Sequence, residues 1–153
     1  MLTYLVDLTP DENGTLLVTC PAFPEVSTFG EDRARARLNA IKAIEEAIAA
    51  RISDGDPLPR PPTEAQMKRH ARGKGIWVKL PLLSSLKAAL YQAMLETGIT
   101  RAELARRLGW HREQVDRLFR LDHASRVDQI EAAFKKLSRQ VDIDVREAVQ
   151  EPA

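Results

Sequence analysis

Tyr4, Val6 and Leu8 fall on one side of a two-residue period across residues 2–9, the alternation of a half-buried strand. Pro10-Asp11-Glu12-Asn13-Gly14 then gathers turn formers and ends in Asn-Gly, a pair that tolerates positive φ. Residues 15–20 resume with Leu, Val and Thr, so the opening predicts a β-hairpin. After Pro21-Ala22-Phe23-Pro24, residues 25–28 are β-branched enough for a short third strand. The period then changes. Asp32 is placed to cap a long helix over residues 33–52. Leu38, Ile41, Ile44, Ile48 and Ile52 recur there in steps of three and four, with Arg33, Arg37, Lys42, Glu45 and Glu46 off the stripe. Such a stripe packs on a small sheet.

Pro57, Pro59, Pro61 and Pro62 exclude a helix or a central strand and mark an extended connection. Residues 63–75 are polar and basic, with room for a short helix, and residues 75–81 alternate Ile76, Val78 and Leu80 as a last strand. From Leu82 the pattern is helical. One helix is expected over residues 84–97, with Leu86, Leu90, Ala93 and Met94 inward and Gly98 as its cap. A second covers 100–108, Gly109 breaks the chain, a third covers 110–120, and a last one 127–139. The fold class predicted is α+β. An N-terminal β-β-β-α-β domain over residues 1–81 is followed by an all-α domain over residues 82–153.

Composition narrows the class. A hydrophobic fraction of 44% fills a core, and 29% charged residues suits a soluble protein better than a disordered one. No apolar run approaches the roughly 20 residues of a membrane span, and the opening Met-Leu-Thr-Tyr-Leu-Val-Asp lacks the basic start of a signal peptide. Cys20 is the single cysteine, which excludes an internal disulfide and a Cys-rich zinc site. These features predict a cytoplasmic protein with no membrane partner. The net charge is +1, but it is unevenly spread. Residues 1–60 hold ten acidic and six basic side chains, whereas residues 61–80 hold five basic and one acidic. Residues 99–126 carry seven arginines against Glu103, Glu113, Asp116 and Asp122. The acidic half is poorly suited to nucleic acid; the arginine-rich stretch is well suited.

That stretch has the spacing of a DNA-binding helix-turn-helix, running from Ile99-Thr100-Arg101 through Leu108-Gly109-Trp110 to Arg117-Leu118. Thr100 is positioned to cap the first helix, Ala105 is small where the helices cross, and Gly109 permits the sharp turn. Val115 and Leu118 anchor the second helix, turning Arg112, Glu113, Asp116 and Arg117 outward with Gln114 at the edge. Arginine reads guanine, glutamine reads adenine, and glutamate accepts from cytosine N4. The candidate DNA-binding set is Thr100, Arg101, His111, Arg112, Glu113, Gln114 and Arg117. The bland alternative is a helical hairpin whose arginines are merely solvated. His111 has two readings, a phosphate contact or a helix cap.

Residues 4–60 resemble the HicB antitoxin pattern. The likeness rests on Tyr4-Leu5-Val6, the turn at Gly14, the Pro21–Pro24 segment, Ser27-Thr28-Phe29-Gly30-Glu31, the helix with Ala40, Ala43 and Ile44, and Leu58-Pro59-Arg60-Pro61. The segment Leu121-Asp122-His123-Ala124-Ser125-Arg126, continuing to Ala133, is similar to the stretch C-terminal to the helix-turn-helix in one HicB subgroup. The resemblance implies a partial RNase H-like N-terminal domain that blocks HicA, a small basic RNA-cleaving toxin. It also implies a C-terminal domain that represses its own operon by binding double-stranded operator DNA as a homodimer or higher oligomer. Two residues depart from the pattern: Arg35 stands where glutamate is common, and Trp110 where a smaller aliphatic residue is usual.

RNase H likeness raises the question of catalysis. Two-metal phosphodiester cleavage needs carboxylates converging on cations about 3.5–4 Å apart. Asp7 and Glu45 or Glu46 are candidates, but the predicted last strand, Ile76-Trp77-Val78-Lys79-Leu80, offers no acid. No catalytic residue, metal ligand or cofactor is therefore expected. His70, His111 and His123 share no ligand spacing, Cys20 reads as a small buried residue, and Gly73 and Gly75 do not make a phosphate loop. Trp77 and Trp110 read as core, and the basic residues at 68, 69, 72 and 74 as a solvated connector. One rival remains: a stand-alone helix-turn-helix repressor whose N-terminal domain serves oligomerisation or ligand sensing.

Overall fold

A computed structural model describes residues 1–70 and 75–148, with the His70 side chain outside that description. The elements are β1 (Thr3–Pro10), β2 (Leu16–Cys20), β3 (Phe23–Gly30), α1 (Arg33–Asp54), α2 (Glu64–His70), β4 (Gly75–Lys79), α3 (Leu82–Thr97), α4 (Arg101–Leu108), α5 (Arg112–Leu118) and α6 (Val127–Lys136). Arg72, Gly73 and Lys74, of the predicted connector, lie outside the described residues.

The four strands form one antiparallel sheet in the order β3-β2-β1-β4. Tyr4, Val6, Leu8, Val18, Cys20, Ile76 and Val78 are buried on the face that receives α1. The turn closes through Gly14 at φ 77°, and Asp32 caps α1 by accepting the Arg35 N–H at 2.7 Å. These elements follow the expected order, with β3 longer at both ends than the 25–28 expected.

The helix stripe requires correction. Leu38 is 53% exposed, and the buried line is Ala36, Ala40, Ile44, Ala47, Ile48 and Ile52. The helix lies so close to the sheet that small residues must face it at its start. A Cβ on Gly30 would stand 2.3 Å from the Ala36 backbone nitrogen. Trp77 and Trp110 are half-buried rather than core. Helix α5 ends at Leu118 and α6 at Lys136, both short of the expected ends.

The proline connection is packed. Leu58 is buried, and the Tyr4 hydroxyl donates to the Pro59 carbonyl at 3.1 Å. Contacts also cross residue 81. The Leu2 N–H donates to Ser85 Oγ at 3.0 Å, Ser84 Oγ donates to Glu45, and the Tyr91 hydroxyl donates to the Asp56 carbonyl at 2.7 Å. Helix α3 thus serves both halves, packing on α6 within the helical part and touching α1. Among the described residues, no helix is long and apolar enough to cross a membrane.

The close approach at Gly30 yields a test. Gly30→Ala should lower the unfolding free energy by about 2–3 kcal/mol, because the new methyl meets backbone that cannot move aside. Gly14→Ala has open space and only its positive φ to contend with, so about 1 kcal/mol is expected. Urea unfolding of the two variants should therefore rank Gly30→Ala as the worse.

Candidate nucleic-acid interface

Helix α4 begins where Thr100 Oγ1 accepts the Glu103 N–H at 3.1 Å. It ends where Gly109 takes φ 68°, and the Trp110 N–H donates to the Ala105 carbonyl at 3.0 Å. This left-handed residue makes the tight turn into α5. Leu104, Ala105, Val115 and Leu118 are buried, so the two helices are anchored as their spacing predicts.

The structure distributes the seven candidate DNA-binding residues unequally. Arg112, Glu113, Gln114 and Arg117 are exposed on α5. Arg112 emerges at the flank, where it pairs with Asp116 at 3.1 Å. Gln114 Oε1 accepts the His111 N–H at 2.8 Å, bracing the first turn; the His111 side chain is exposed at the N-cap. Thr100 is a cap. Arg101 is half-buried: it donates to Asp116 at 3.1 Å, and its guanidinium lies 4.8 Å from the Phe119 ring centroid. It ties α4 to α5.

Burial pushes the Asp116 carboxyl up, but hydrogen bonds from Arg101 and Arg112 outweigh it and hold the group below its ordinary value. Glu103 is likewise held low, chiefly by the Arg107 hydrogen bond, with Arg106 also paired to it. Arg120 pairs with Asp122 at 3.1 Å and Arg126 with Asp128 at 2.7 Å. Of the seven arginines in residues 99–126, Arg117 alone has no carboxylate partner among the described residues.

Sequence reasoning missed Lys87. It is 0% exposed, and its Nζ donates to the carbonyls of Arg117 at 3.0 Å, Arg120 at 2.5 Å and His123 at 2.6 Å. The last carbonyls of a helix lack partners within it and carry partial negative charge, so an ammonium from α3 closes the end of α5. A signal existed: residue 87 lies three after Ser84 and four before Tyr91, on the buried face of α3.

The carboxylates considered for catalysis do not converge. Asp7 alternates with Val6 and Leu8 and so lies on the sheet face away from α1, while Glu45 is on α1 and receives the Ser84 hydroxyl. Cys20 is buried and donates to the Leu5 carbonyl, with burial pushing its thiol up. A cavity of about 550 Å³ at the junction of the halves is lined by Tyr4, Leu58, Ala88, Ala93 and Phe134 among others, and by none of the DNA-binding candidates. The candidate interface is the convex surface of a helix rather than a pocket.

Comparison with known proteins decides the family. Residues 3–89 match the model described as HicB_like antitoxin of bacterial toxin-antitoxin system. The chain is 33% identical over 148 residues to Antitoxin HicB of Pseudomonas fluorescens (strain Pf0-1), covering 97% of each. It belongs to the HicB antitoxin family. The Escherichia coli (strain K12) Antitoxin HicB is 32% identical over 142 residues, which is 93% of this chain and 98% of that one. Antitoxin HicB 1 of Photorhabdus laumondii is 28% identical over 144 residues, 94% of this chain and 87% of that one. HicB likeness therefore extends through α4 and α5, and the chain is an antitoxin of a toxin–antitoxin system.

Burial pushes Lys87 down to about 8 from 10.5, partly opposed by Asp122. Between those values the unfolded chain holds a proton that the folded chain has released, so raising pH through this window favours folding as far as this group is concerned. Lys87→Met removes the ammonium from three carbonyls that keep only the N–H groups of Arg120, His123 and Ser125 and the Ser125 hydroxyl. It should cost about 1–3 kcal/mol at pH 7. The gap between wild type and variant should widen by on the order of 1–2 kcal/mol at pH 9.5. Denaturant unfolding of both proteins at the two pH values checks this; a constant or shrinking gap contradicts it.

Proposed function

We propose that this antitoxin neutralises a HicA-type RNA-cleaving toxin with its N-terminal half, residues 1–81, and represses its own operon with its helical half, residues 82–153. It does so by occlusion in the cytoplasm, without catalysing a reaction. The observation that carries the DNA-binding part is the orientation of α5: Val115 and Leu118 are buried while Arg112, Glu113, Gln114 and Arg117 face solvent together. Arg117 is the foremost base reader. Arg112 reads or grips phosphate on leaving Asp116, Gln114 and Glu113 lie beside them, and His111 and Thr100 sit at the N-termini of α5 and α4. Arg101 supports the pair of helices from behind.

One helix-turn-helix contacts too few base pairs for high specificity. The working form is therefore a dimer or larger assembly reading half-sites about one helical turn apart. The acidic balance of residues 1–60 suits a basic partner. A stand-alone repressor is less well supported, because the family match falls on the N-terminal half.

The double variant Arg112→Ala/Arg117→Ala tests the reading. Each lost base contact costs about 1–3 kcal/mol and occurs twice in a dimer, so operator affinity should fall by orders of magnitude. Folding by circular dichroism and toxin binding should persist. Unchanged operator affinity would place the recognition helix elsewhere, and loss of toxin binding by the folded variant would show that the two activities share a surface.

A further inference from the structure

The sheet has only one face covered by α1. On the other, Leu17 of β2 and Phe29 of β3 are direct cross-strand partners, 41% and 62% exposed. Farther along this face, Leu5 and Trp77 are also paired, and both are half-buried. Asp7, Thr19 and Ser27 lie between the two pairs, so the exposed apolar centre is Leu17 and Phe29. Such a pair adds at most about 1 kcal/mol to the isolated fold, and an apolar patch left in water is a common mark of an interaction site.

The surroundings specify the chemistry of the occupant. Leu16 pairs with Pro10 and with Gly30, so the β1–β2 turn and the β3–α1 turn lie at the same end of the sheet, one residue beyond Leu17 and Phe29. Those turns carry Asp11, Glu12, Glu31 and Asp32, all exposed. Asp7 adds a carboxylate on the open face itself. Among the described residues of the strands, the one base on this face is Lys79, paired with Thr3 at the far end of β4 from Leu17 and Phe29. Arg33 and Arg35 are on the first turn of α1, which packs on the opposite face. An apolar centre with an acidic rim suits a partner with an apolar patch ringed by lysine or arginine. A protein that cleaves RNA must present positive charge to phosphates, and carboxylates of an inhibitor compete for the same charge.

We propose that the open sheet face centred on Leu17 and Phe29 receives the basic RNA-binding side of the toxin. This rests on the toxin-neutralising reading above and adds where the toxin sits. Leu17 and Phe29 fill its apolar patch, the turn carboxylates meet its cationic rim, and RNA is thereby excluded.

The test uses the full chain and, as probe, the small protein encoded beside its gene. Leu17→Lys/Phe29→Lys should weaken binding of that protein by roughly 100-fold or more and abolish protection of RNA. Phe29→Ser should weaken binding in the same direction with less burden on folding. Operator binding should be unchanged in both. Leu82→Lys/Val127→Lys, on exposed positions of the helical half, should bind the probe like wild type. If wild type binds and both sheet variants, folded by circular dichroism, bind equally well, the placement is wrong while the neutralising role stands. If wild type itself does not bind, the role fails and the placement with it. A change of oligomeric state in light scattering with toxin affinity retained would make the face a contact between copies, which also overturns the placement.

Discussion

A single buried ammonium sets the geometry on which the helical half depends. Helix α5 has seven residues, too few to hold a direction by its own hydrogen bonds. Lys87 supplies what it lacks by donating to the carbonyls of Arg117, Arg120 and His123. Removing an ammonium from water is costly, and three converging carbonyls, one at the end of α5 and two in the turns after it, offset part of that cost. An apolar residue at 87 fills space equally well but leaves those acceptors only the donors of their own loop, with nothing to tie them to α3. The exposed residues of α5 therefore owe their direction to Val115, Leu118 and a lysine that never reaches the surface.

The same turn of α3 faces the other way as well. Ser84 and Ser85, three and two residues before Lys87, bond to Glu45 and to the Leu2 backbone. Helix α3 thus bonds to the start of β1 through Ser85 and to the end of α5 through Lys87. Tyr91, one turn on, bonds to the Asp56 carbonyl and anchors the proline connection from the helical side. With these bonds and the burial of Leu58 and Leu80, cutting the chain at residue 81 would strip partners from both halves. Stability of each half and attachment between them draw on the same few residues.

Much of this is legible in the residues, and the reasons for the rest are specific. Turns and caps are local chemistry: Asn13-Gly14, Asp32, Gly98, Thr100 and Gly109 all act where their types suggest. The anchors Val115 and Leu118 follow from a motif with fixed spacing. The α1 stripe escapes any reading that equates size with burial, because the approach at Gly30 leaves room only for a residue as small as Ala36, and Leu38 is turned to water. Lys87 has only its helical phase to mark it, because lysine is a surface residue by default; its partners, 30 to 36 residues away, make it a core one. Arg101 resembles a DNA contact in the sequence because its carboxylate and its ring, Asp116 and Phe119, come from the next helix and beyond.

The arginine pairs bear on how such a surface discriminates. A cluster of free guanidiniums would bind any duplex, since phosphate contacts carry no sequence information. Here six of the seven arginines between residues 99 and 126 already face a carboxylate, which mutes the field that drives indiscriminate binding. The exposed pairs are weak, about 0–1 kcal/mol each, so Arg112, Arg120 or Arg126 can exchange its carboxylate for DNA at little cost when the fit is good. Arg101 differs because its pair is half-buried and backed by the Phe119 ring, and it stays in place as the frame. Arg117 needs no exchange at all. On the proposed reading, discrimination then rests mainly on Arg117, whose guanidinium, without a carboxylate partner among the described residues, gains most where the duplex offers it a base acceptor. Phosphate contacts by the paired arginines are alike on any sequence.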